Sequence, residues 1–129
     1  MKPETAILVG GIYNIGFVIF HLMFWKLLHW NKDLASLSFI NRQVMQIFNL
    51  CLIFVFLIFA YISLFHTGEL LRSGLGKTLL LLMAIFWLLR AIEQIYFFGL
   101  RNKGSAAFFG VFFLGAVFYF YPFFMLTGE

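Results

Sequence analysis

The sequence predicts an all-α protein, a polytopic four-helix transmembrane bundle with short connecting loops. Three observations carry this. Of 129 residues, 64% are hydrophobic and only 11% charged, against roughly 45–50% and about 25% in soluble domains. A soluble fold of this size buries only about two-thirds of its chain surface, so the remaining Phe, Leu and Ile would face water. The apolar residues also fall into four runs, each of the roughly 20 residues that cross a hydrocarbon core. Finally, the polar residues collect in three brief joints between those runs.

The spans are expected at about 5–28, 44–65, 78–98 and 105–126. Each should be helical, because backbone polar groups cannot be left bare in lipid. The N-terminal run lacks the short core and small-residue cleavage site of a secretory signal and reads as a retained first span. The first joint, HWNKDLASLSFINRQ, has room for a short interfacial helix capped by Asn31 or Asp33. The second, HTGELLRSGLGK, is polar and glycine-rich, and Gly74 and Gly76 are expected to make the turn that launches span three. The third, GLRNKGS, is tight enough to make spans three and four antiparallel neighbours. In span four, Tyr119, Tyr121 and Pro122 suit an aromatic belt and a helix end, and Gly110, Gly115 and Ala116 suit a close helix contact. Gly10, Gly11 and Gly16 do the same for span one, and Cys51 reads as a small packing residue.

Lys26, Lys32, Arg42, Arg101 and Lys103 lie on the side of joints one and three, and Lys2, Arg72 and Lys77 on the other. The positive-inside tendency then makes joints one and three cytoplasmic and both termini external, that is, periplasmic. The lipid bilayer is the expected partner, and the dispersed basic residues give no nucleic-acid footprint. In general texture the chain resembles small bacterial membrane proteins, which implies the bacterial inner membrane. Self-assembly, or a partner in a membrane complex, is expected because four helices shelter few polar groups.

Span three contains FWLLRAIEQIYFF, in which Arg90, Glu93 and Gln94 interrupt an otherwise lipid-compatible run. About twelve strongly apolar residues at roughly −0.3 to −0.6 kcal/mol each are nearly cancelled by one Arg and one acid at about 2.5–3.5 each. Such a helix is comfortable only if its charges pair or reach water. The i, i+3, i+4 spacing places all three on one face, continued by Phe86 and Phe97, so that face should turn inward. Span one offers Asn14 and His21 on one stripe, and span two offers Arg42, Gln46 and Asn49. Arg90, Glu93, His21, Asn49, Gln94, Gln46 and Asn14 therefore form the candidate ligand-binding set. Singly, Asn14, Gln46 and Asn49 suit interhelical hydrogen-bond glue.

This set suits a small anionic or protonatable ligand, with Arg90 holding the anion and Glu93 and His21 as proton-linked partners. It lacks a nucleophile. A transporter, channel-like or lipid- or metabolite-binding protein is the first expectation, a non-catalytic anchor subunit the second, and a membrane enzyme or haem protein the third. No cofactor is specified. His21 and His29 sit about 12 Å apart along one helix, a poor geometry for one haem. The H-x-x-E pair His66 and Glu69 offers two metal ligands where three or four are needed.

Overall fold

The computed structural model describes residues 1–128. It contains four helices long and apolar enough to cross a membrane: α1 (Pro3–Leu22), α4 (Phe39–Phe65), α6 (Gly74–Phe98) and α7 (Lys103–Thr127). Between α1 and α4 lie the short helices α2 (Phe24–Leu27) and α3 (Trp30–Asp33), then a 3₁₀ turn, Leu34–Ser36. A further short helix, α5 (Thr67–Arg72), occupies the second joint.

The ends of these helices follow from local chemistry. Ser38 caps α4 by accepting from Asn41 N, so that helix begins five residues before the expected Val44. Ser73 caps α6 through Gly76 N at 2.8 Å, and Asn102 caps α7 through Gly104 N at 2.7 Å. Gly99, at φ 72°, ends α6 in a conformation that only glycine adopts freely.

Several expectations are corrected. The first span is not one unbroken helix to Leu28: α1 stops at Leu22, and α2 follows at Phe24 after a single turn residue, Met23. Neither Asn31 nor Asp33 caps the interfacial helix, which starts instead from His29 in the left-handed region. Pro122 does not end α7. The helix continues to Thr127, with Pro122 buried inside it. Tyr119 lies in the core rather than in a belt, and Cys51 is exposed on the perimeter.

Around the bundle, α1 packs on α4 and α7, and α7 packs on α6, the antiparallel pair expected from the tight third joint. Close approach is set by small residues. A Cβ at Gly11 would strike Leu64 of α4, and one at Gly115 would strike the Tyr13 ring. By contrast α4 and α6 meet through side chains, Phe56 and Phe59 against Phe86 and Trp87. That seam is the loose one. At the end bearing the termini, α5 wedges against α6, α1 and α4 with Leu70 buried, and so closes the bundle there.

Candidate functional site

Because α5 fills one end and nothing equivalent fills the other, a cavity of about 640 Å³ opens among α1, α4, α6 and α7 toward joints one and three. This is within the range of small-molecule sites, roughly 300–1,000 Å³. Its walls are aromatic. Trp87 lies between Phe56 and Phe112 in near-parallel planes, at centroid separations of 5.3 and 6.2 Å, and Phe17, Phe20 and Phe108 extend the surface.

Polar groups reach this cavity from two sides. On α6, the Arg90 guanidinium lies 4.2 Å from the centre of the Phe112 ring, a cation–π contact. Its NH2 donates to Gln94 Oε1 at 3.2 Å, Gln94 Nε2 donates to Ser105 Oγ at 2.9 Å, and Ser105 donates to the Gly99 carbonyl at 2.5 Å. The donors thus run in one direction and tie α6 to the start of α7. On α1, His21 Nδ1 meets Asn49 Oδ1 at 2.8 Å while Asn49 Nδ2 donates to the His21 carbonyl at 3.1 Å. This double link fixes the imidazole against α4.

The structure brings Arg90, Gln94 and His21 to the same cavity, with Asn49 behind His21. Glu93 is not among them. It is exposed on the outer side of α6 and forms no salt bridge with Arg90, so the inward orientation expected of it is corrected. The reason is angular: the buried stripe of α6 runs through Met83, Trp87, Ala91 and Gln94, and Glu93 is about 100° around the axis from Gln94. Phe97 is 73% exposed for the same reason. Among the described residues the one ion pair is His66–Glu69, at the exposed start of α5, and no cluster of three or more metal-ligating side chains exists.

Gln46 and Asn14 belong elsewhere. Gln46 Oε1 accepts from Trp25 Nε1 at 3.2 Å beside a separate pocket of about 200 Å³ lined by Trp30 and Arg42. Asn14 is fully buried toward the closed end, where its Nδ2 donates to the Gly10 carbonyl and to Tyr119 Oη, each at 2.8 Å. Tyr119 Oη also bonds Ser63 Oγ at 2.8 Å, which stitches α1, α4 and α7 together. Asn14 serves as glue between helices.

Trp87, Phe112 and Ser105 were not anticipated as site residues. Trp87 has no solvent exposure, and its Nε1 has no hydrogen-bond partner, in a protein interior where such donors are normally satisfied. The i, i+3 step from Trp87 to Arg90 was the available signal. No family model, curated protein or solved structure matches the chain.

Proposed function

We propose that the protein binds a small amphipathic anion inside the membrane, in the cavity bordered by Arg90. The single observation that carries this reading is an arginine bordering an aromatic cavity that forms no salt bridge with any carboxylate of the described residues. A permanent cation in such a setting costs several kcal/mol unless something compensates it. Gln94 and the Phe112 face offset part of that cost, and an anion would offset the rest. The ring-lined remainder of the cavity takes an apolar body, so the ligand class is an organic anion with a flat or hydrocarbon portion.

Access follows from the packing. The loose seam between α4 and α6 admits a ligand from the bilayer, and the opening at joints one and three, assigned above to the cytoplasmic side, admits one from water. The closed end at α5 favours a binding protein, or an occluded state of a carrier, over an open channel.

The test is charge discrimination. The protein is placed in nanodiscs of zwitterionic lipid, and the quenching of tryptophan fluorescence is followed as brominated naphthoate, the corresponding amide and the corresponding amine are added. Saturable quenching by the carboxylate, with at least tenfold weaker responses from the amide and amine, is the expected result. Equal, non-saturating quenching by all three would mean simple partitioning into lipid and would defeat the reading.

A further inference from the structure

Beyond Arg90, the cavity holds a second polar atom whose state the geometry determines. Asn49 Nδ2 faces the His21 backbone carbonyl, which can only accept, so the amide cannot be turned the other way. Asn49 therefore presents its oxygen to His21 Nδ1, and Nδ1 must be the nitrogen that carries hydrogen. In the neutral ring this leaves Nε2 as a bare acceptor. Among the described residues no group pairs with Nε2, and His21 borders the same cavity as Arg90.

An anion held by Arg90 brings acceptor atoms only. A carboxylate that also reaches His21 would set lone pair against lone pair, a repulsive contact that one proton converts into a hydrogen bond. We infer that the cavity takes its ligand as a weak acid: the carboxylate and one proton bind together, the proton held between a ligand oxygen and His21 Nε2. This rests on the binding reading proposed above and deepens it.

The balance is simple. If the neutral acid arrives, its O–H bond breaks as Nε2–H forms, or the proton stays shared, and none is exchanged with bulk. If the carboxylate arrives, one proton is taken from solvent. Other charged groups around His21 do not substitute. On α6 Arg90 carries no removable proton, and Glu93 faces outward. Lys26 of α2 is exposed, and Arg42 of α4 borders the smaller pocket. On its own helix Tyr13 donates to the Val111 carbonyl at 2.8 Å, and α7 brings no charged side chain to the cavity.

The experiment is calorimetric titration of the nanodisc-embedded protein with naphthoate near pH 8, where the free ligand is ionised and an ordinary imidazole is neutral. It is repeated in buffers of different ionisation enthalpy. The expected result is uptake of about one proton per naphthoate bound, with affinity falling by up to about tenfold for each further pH unit. His21→Gln supplies a neutral donor in place of the shared proton. It should bind naphthoate with no proton uptake and a flat pH profile over the same range. Binding by the wild-type protein without proton uptake overturns this inference and leaves the anion reading standing. Uptake that persists in His21→Gln overturns it equally, whereas absence of any binding removes the underlying reading as well. Should His21→Gln fail to fold, the wild-type proton count decides alone.

Discussion

Replacing Arg90 with methionine is expected to weaken naphthoate binding by about 100-fold or more while the melting temperature holds or rises. The first half follows from loss of the charge-assisted contact, worth about 2–5 kcal/mol when the partner charge is desolvated, with each 1.4 kcal/mol a factor of ten. The second half separates a functional arginine from a structural one. Holding a partly buried charge with no salt-bridge partner in an aromatic wall carries a desolvation cost, which a well-packed hydrophobe in its place removes. Methionine keeps an unbranched apolar stem and gives up the hydrogen bond to Gln94 Oε1 and the guanidinium's cation–π contact with Phe112. Binding measured by fluorescence and unfolding followed by circular dichroism, both in nanodiscs, check the pair. Lost binding with a lowered melting temperature would instead mark Arg90 as part of the framework.

The second large effect concerns the closed end. A Cβ at Gly76 would overlap the Glu69 carbonyl oxygen and come within 2.5 Å of Leu70 Cα and 2.8 Å of its carbonyl carbon. These are backbone atoms, so no change of rotamer relieves the clash. Gly76→Ala should therefore push α5 off α6, uncover Leu70 and destabilise the bundle by about 1–3 kcal/mol or more. Gly110 is the control. Nothing lies within 4 Å of a Cβ built there, so Gly110→Ala should be neutral or gain up to about 1 kcal/mol of helix propensity. Equal behaviour of the two variants in thermal unfolding would contradict the wedge at α5.

The contrast between Gly76 and Gly110 also shows what a sequence discloses. Four spans, their order and the antiparallel pairing of the last two were legible because lipid tolerates few alternatives to a long apolar helix. Which glycine supports a close contact was not. Gly16 and Gly110 stand in open space while Gly10 meets the Tyr119 ring, and only the helix rotations decide that. The short helix α5 was also hidden, since HTGELLR looks polar enough for a plain loop although Leu70 is buried by it.

For the site, the heptad-like spacing from Asn14 to His21 and from Arg42 to Asn49 indicated which residues share a face but not the company each of them keeps. His21 and Asn49 do meet, whereas Asn14 and Gln46 are drawn into separate networks by Tyr119 and Trp25. Glu93 misled because i, i+3 neighbours share only part of a face. With Gln94 central to the buried stripe and Arg90 at its margin, a step of one residue carries Glu93 to the perimeter. Trp87 was passed over because an indole among phenylalanines reads as core, and its unpartnered Nε1 emerges only from three-dimensional packing.

Photolabelling bears most directly on the account. A photoactivatable naphthoate is irradiated with the protein in nanodiscs and the adducts are mapped by mass spectrometry, with unlabelled naphthoate as competitor. Competable adducts confined to cavity-lining residues such as Phe20, Phe56, Trp87 and Phe108, and absent from Arg90→Met, are the result the account predicts. Adducts spread over perimeter residues such as Phe54, Tyr96 and Phe97, indifferent to competitor and to the variant, would contradict it.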